Sequence, residues 1–205
     1  MIPPDDRRFW STAASFGALW GALEVTVGSF AHALHLPFSG ALLGGVAAGL
    51  LVAQRQLCPT RGLSLATALV AALLKGFSPA GAILGPMVAI AMEGLLVELV
   101  LLPRPTARLS AAAAGAMTVI WSLTQKILMQ VVLYGRDIVR LLIEAVERAA
   151  ASVGASPDHA WSALAVLATL LVAIGTILGL YGHWVGRRAA EVIGATTASS
   201  PGEAT

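Results

Sequence analysis

The chain has 205 residues, 57% of them hydrophobic and only 12% charged, and its mean hydropathy is +0.81. A soluble domain carries charge at roughly 25% of positions, so this composition excludes an ordinary soluble fold and implies a bilayer as solvent. The single cysteine, Cys58, excludes an intrachain disulfide framework and a Cys-rich metal site, while the lack of a G-x-x-x-x-G-K-[ST] loop excludes nucleotide binding of the P-loop kind.

The apolar runs extend from about Phe9 to Ala33, Phe38 to Ala53, Gly62 to Phe77, Ala80 to Leu102, Leu109 to Tyr134 and Trp161 to Val185. They predict an all-α polytopic membrane protein with six transmembrane helices, the second and third rather short. Pro103 and Pro105 stop the fourth. Ser78-Pro79 and Ser156-Pro157-Asp158 mark the starts of the fourth and sixth, each joining an N-cap side chain to a proline in the first turn. Between the fifth and sixth spans, Arg136 to Val153 puts Ile138, Leu141, Leu142, Ala145, Val146 and Ala149 on one face and Arg140, Glu144, Glu147 and Arg148 on another. That pattern predicts an amphipathic outer helix, lying on lipid or covering an outward-facing pocket. Residues 1–188 form one transmembrane domain, and 189–205, rich in Ala, Thr, Ser, Pro and Gly, are expected to be a disordered cytoplasmic tail.

Charge sets the direction. With the N-terminus in the cytoplasm, Arg7, Arg8, Arg55, Arg61, Arg104, Arg108, Arg187 and Arg188 lie inside, against Lys75, Arg136, Arg140 and Arg148 outside. This places the protein in the cell (inner) membrane as a multi-pass chain with both termini cytoplasmic. Ala31-His32-Ala33 has the form of a signal cleavage site, but the preceding run is too long and Glu24 interrupts it, so it reads as a span. The formal charge of +2 comes from basic residues scattered between apolar runs and offers no nucleic-acid patch.

Small residues four apart mark where helices approach closely in lipid. Span one has two adjacent rows, Ala14, Ala18 and Ala22 beside Gly17 and Gly21, wide enough to serve an internal neighbour and an external partner. Gly40 with Gly44, Gly45 with Gly49, Gly81 with Gly85 and Gly175 with Gly179 read as packing within the bundle.

Five ionisable residues fall in or beside the spans: Glu24, Lys75, Glu93, Glu98 and Lys126. Each costs about 2.5–3.5 kcal/mol near a helix centre on the insertion scale, so each must pair or face a hydrated cavity. Glu24, Lys75 and Lys126 sit in the outer half, where Trp121, Gln125 and Gln130 accompany Lys126 and where His32 and His35 flank the mouth. Glu93 and Glu98, spaced i,i+5, require different partners, with solvent or a subunit contact expected for Glu98. Interhelical ion pairing is the plain alternative for Glu24, Lys75, Glu93 and Lys126. The segment from Lys75 to Pro86 holds two prolines and three glycines, a composition of broken helices that line binding sites or of a tight turn with a kink. His32 and His35 have the spacing of a metal pair, but Pro37 favours an interfacial loop, and no metal is assigned.

Gly17-Ala-Leu-Trp-Gly-Ala-Leu-Glu24 through His35-Leu-Pro-Phe-Ser-Gly40, the Lys75 to Met87 segment with Glu93, and Trp121-Ser-Leu-Thr-Gln-Lys126 through Gly135 resemble the substrate-capturing S subunits of energy-coupling factor transporters. The resemblance covers roughly residues 9–188 and lies in size, topology and segment character. It implies a six-helix protein that takes a vitamin, precursor or metal from outside and docks on a membrane scaffold (T) subunit served by two ATPase subunits. The family's A-x-x-x-A docking row on the first helix is matched by Ala14, Ala18 and Ala22. The start Met1-Ile2-Pro3-Pro4 lacks the histidine of the nickel and cobalt members, which argues against a metal substrate.

The resulting expectation is a non-enzymatic subunit binding a small polar nutrient, with no cofactor. Lys75 and Lys126 would meet an anionic or carbonyl group, Gln125 would add hydrogen bonds, Trp121 would stack, and Glu24 would balance charge or bind a cationic group. A solitary ion-coupled transporter or channel, with Glu24 or Glu93 as proton site, is the alternative. A serine hydrolase using Ser39 and His183 is disfavoured because those residues fall at opposite ends of their helices.

Overall fold

The computed structural model describes residues 4–34, 38–77, 84–152, 154 and 156–198, and, within them, leaves aside the side chains of residues 4, 5, 32, 33 and 195–198. Among the described residues the chain is helical, without strands: α1 (Pro4–Leu23), a π-helical turn (Glu24–Gly28), α2 (Ser29–Ala33), α3 (Ser39–Leu57), α4 (Leu63–Lys75), α5 (Leu84–Leu101), α6 (Arg108–Tyr134), α7 (Asp137–Ser152) and α8 (Pro157–Ala198). Among the described residues, three helices are long and apolar enough to cross a membrane: Leu84–Leu101, Arg108–Tyr134 and Pro157–Gly194. α4, with 13 residues, extends only about 20 Å at 1.5 Å per residue.

α3 runs through the middle of the bundle because it is made of residues too small to hold neighbours away. Gly45 faces Gly175 and Leu178 of α8, while Gly182 and Gly186 lie on the backbone carbonyls of Gly49 and Ala53. On the other side of α8, Gly175 and Gly179 lie on the carbonyls of Gly115 and Ala111 in α6. A Cβ added at Gly182 would meet Gly49 Cα at 2.7 Å, so this approach requires glycine. The register fixes direction: α3 and α8 run parallel, and α6 runs against both. Likewise Gly17 and Gly21 of α1 rest on Val70 and Leu74, making α1 parallel to α4, while Gly94 on Ala68 and Glu98 on the Gly62 and Ser64 amides, with Met87 beside Gly76, set α5 antiparallel to α4. Trp20, Leu51, Ala68, Ile90, Val97 and Ala114 form the core between these helices. Outward, the bundle presents Leu73, Val132, Val166, Leu170 and Ile177 to its surroundings, a surface suited to lipid.

Several expectations are corrected. The first apolar run is not one uniform helix: it starts at Pro4 and widens into the π turn at Glu24. Residues 189–198, expected to be disordered, continue α8, because Ala189, Ala190 and Glu191 are good helix formers and Glu191 lies 3.7 Å from Arg187 and 3.8 Å from Arg188 on successive turns. At 42 residues α8 is about 63 Å long, twice the roughly 30 Å hydrocarbon core. The amphipathic segment forms α7 as expected, with an Arg140–Glu144–Arg148 ladder outside and Ile138, Leu142, Val146 and Ala150 turned inward. α8 opens at Pro157, and the Ser156 hydroxyl lies 2.5 Å from His159 Nδ1. Ser78-Pro79, Gly81, His35 and the His32 side chain lie outside the described residues.

Candidate functional site

Four elements, the π turn, α4, α5 and α6, carry polar groups toward the end of the bundle where α4 finishes, and glycines of α3 make room for them. Lys75, the last residue of α4, is buried and donates from Nζ to the Glu24 carbonyl at 2.6 Å, while its Nζ stands 3.6 Å from Glu24 Oε2. The ion pair joins residues 51 apart in sequence. Glu24 opens the π turn, whose extra residue per turn loosens the normal carbonyl ladder, and such turns recur at functional sites. One turn on, Gly28 leaves the pair its room: a Cβ there would come 3.1 Å from Glu24 Oε2 and 3.4 Å from both Lys75 Nζ and Leu43 Cδ1.

Beside it, on the far side of Leu43, is a second polar contact. Glu93 of α5 is 5% exposed and accepts a 2.8 Å hydrogen bond from the Ser122 hydroxyl of α6. Gly44 of α3 makes this possible, because a Cβ on it would lie 2.7 Å from Ser122 Oγ and 3.0 Å from Glu93 Oε1. One turn beyond Ser122, Lys126 passes Gly40, with Cε 3.8 Å from the Cβ position, and is exposed. Gln125 donates to the Gly85 carbonyl of α5 at 3.3 Å. Trp121 has its indole Nε1 buried without a hydrogen-bond partner, an unmet donor in a low-dielectric setting.

Glu24 and Lys75 are thus joined, while Trp121, Gln125 and Lys126 lie on α6, which packs on α3, α5 and α8 rather than on α4 or the π turn. The interhelical ion-pair reading describes Glu24 and Lys75; it does not describe Glu93, whose partner is a hydroxyl. Ser122, Gly28 and Gly44 were missed from sequence. The available signals were spacing: Ser122 precedes Lys126 by four residues, and Gly28 follows Glu24 by four.

The two rows on α1 separate. Gly17 and Gly21 are buried against α4, so their expected external role is corrected to internal packing. Ala14, Ala18 and Ala22 are all exposed along one line.

At the opposite end, Glu98 is not in solvent, contrary to expectation. It is 6% exposed and accepts bonds from the amides of Gly62 (2.7 Å) and Ser64 (3.0 Å) at the start of α4, with Arg55 Nη1 3.5 Å away. Arg55 also donates to the Thr60 carbonyl. The carboxylate therefore satisfies orphan amides that no side chain of α4 itself caps. This cluster ties α3, α4 and α5 together and is structural.

No family model, curated protein or solved structure matches the chain.

Proposed function

We propose that the protein is the substrate-capture subunit of an importer of the energy-coupling factor type: six spans in the cell membrane, both termini cytoplasmic, α7 on the outer face, and a small polar nutrient bound from outside. The observation that carries this reading is the placing of Glu24–Lys75, Glu93–Ser122, Trp121, Gln125 and Lys126 toward one end of the bundle, across several elements. Helix directions support the six spans: α3 parallel to α8, α1 parallel to α4, and α6 and α5 opposed to their neighbours are what alternating traversals produce. The outward line of Ala14, Ala18 and Ala22 supports docking on a scaffold subunit, which two ATPases would serve.

Lys126 supplies an exposed cation for an anionic or carbonyl group, and Gln125 and Trp121 give hydrogen bonding and a stacking face. The chain is read as non-enzymatic and without a cofactor. The test is gentle extraction of the tagged protein and mass spectrometry of the small molecules and proteins that accompany it. Lys126→Gln is expected to release the small molecule while thermal stability is kept; equal loss of both refutes the binding role. Ala18→Leu is expected to release the scaffold and ATPase partners and leave the small molecule bound.

A second reading rests on Glu93, a buried carboxylate that accepts a hydrogen bond from the Ser122 hydroxyl, which suits a proton site in a solitary carrier. Uptake by the purified chain alone in liposomes would favour it over the first.

A further inference from the structure

Where α8 runs past the core and α6 begins, the structure holds a pocket of about 500 Å³ lined by Arg108, Leu180, His183, Trp184, Arg187, Arg188 and Glu191. Three guanidinium groups against one carboxylate leave it a net charge of +2 with histidine neutral. Glu191 is already shared, 3.7 Å from Arg187 and 3.8 Å from Arg188, and Arg108 is exposed at the first position of α6, where the positive end of the helix dipole adds to its charge. His183 forms part of the wall, 4% exposed, with Nδ1 lacking any hydrogen-bond partner. Three guanidinium groups around one pocket, with a single carboxylate to share between two of them, are the chemistry of an anion site.

The pocket does not stand alone. It shares Trp184 and Arg188 with a shallow, open apolar groove along one face of α8, formed with Val185, Ala189, Val192 and Ile193. Trp184 stacks on Tyr181 at 5.8 Å, the aromatic pairing found where a helix leaves hydrocarbon for headgroups. A soluble anion would use the pocket and leave the groove empty. An amphiphile uses both.

We propose that this end of α6 and α8 binds one anionic phospholipid, its phosphate between Arg108, Arg187 and His183 and an acyl chain along Trp184, Val185 and Val192. The site is independent of the capture function at the other end of the bundle. It gives the extension of α8 beyond the core a role: the helix holds lipid where the basic residues cluster.

The test is native mass spectrometry of the full chain from micelles holding equal amounts of dioleoyl phosphatidylglycerol and dioleoyl phosphatidylcholine. Phosphatidylglycerol is expected to be retained in preference. Each arginine near an anionic surface contributes about 1 kcal/mol, or about five-fold, so Arg108→Gln with Arg187→Gln should cut that preference roughly 25-fold. Arg140→Gln with Arg148→Gln on α7 should leave it unchanged, and circular dichroism should show both variants folded. Equal retention of the two lipids, or phosphatidylglycerol binding indifferent to Arg108 and Arg187, overturns the proposal. Saturation by millimolar inorganic phosphate without any lipid preference overturns it too, in favour of a soluble anion.

Discussion

The contact among Gly44, Ser122 and Glu93 gives a prediction with a sign that only this geometry produces. A methyl group at position 44 would sit 2.7 Å from Ser122 Oγ and 3.0 Å from Glu93 Oε1, both inside van der Waals separation. Gly44→Ala should therefore cost about 1–3 kcal/mol, as overpacking does, against the small gain in helix propensity. Ser122→Ala removes the 2.8 Å donor and leaves a buried carboxylate oxygen unserved, which costs about 1–3 kcal/mol. The double variant takes away the atom that the new methyl strikes most closely. Its cost should fall below the sum of the two by about 0.5–3 kcal/mol, the coupling seen for residues in contact. Reversible unfolding of the four proteins in mixed micelles measures this. Additivity within about 0.5 kcal/mol would show that Gly44 does not make room for the Ser122–Glu93 bond.

Glu98→Gln should destabilise by about 3–5 kcal/mol, because it leaves the Arg55 guanidinium buried without its counter-charge, whereas the exposed Glu144→Gln on α7 should change unfolding by less than about 0.5 kcal/mol; chemical unfolding of both variants checks the contrast. Gly182→Ala forces α3 from α8 and should lower the melting temperature, while Gly194→Ala, which meets nothing within 4 Å, should leave it equal or higher; a melting temperature unaffected by Gly182→Ala would refute the close α3–α8 approach. Gly28→Val should disrupt the Glu24–Lys75 contact and, on the proposed function, reduce retained ligand, measured by mass spectrometry of the purified protein.

Composition and periodicity were enough to read the helical class, the apolar surface, α7 and a packing role for Gly45, Gly49, Gly175 and Gly179, but not which helices these glycines join, nor the part of Gly182 and Gly186. Hydropathy failed at helix ends. It stopped the last span at Val185, where polarity rises, although Ala189 to Ala198 continues as helix, because helix propensity and lipid preference are separate properties. It could not show the π turn, whose Glu24 carbonyl accepts a hydrogen bond from Lys75 of another helix, 51 residues away. Nor could it show that Glu98 faces the α4 amides across 34 and 36 residues of sequence, because a carboxylate near a predicted membrane edge has solvent as its default partner. The adjacent rows of α1 were visible as a pair, but only packing against Val70 and Leu74 shows that Gly17 and Gly21 point inward and Ala14, Ala18 and Ala22 do not.

Lys75 and Lys126 looked equivalent as sequence, and the structure separates them. Lys75 is bonded to both the carbonyl and the carboxylate of Glu24, so a substrate anion reaching it must first displace a partner that is part of the same chain. Lys126, exposed beside Gly40, has no such cost. A charge swap distinguishes the two. Glu24→Lys with Lys75→Glu retains opposite charges at that site but gives up the bond to the residue 24 carbonyl, so circular dichroism first checks that the swapped protein is folded. If Lys75 serves the fold alone, the swapped protein retains its small molecule while Lys126→Gln loses it. If the swap releases the small molecule from a folded protein, the ion pair opens to the substrate, and Lys75 belongs to the binding surface after all.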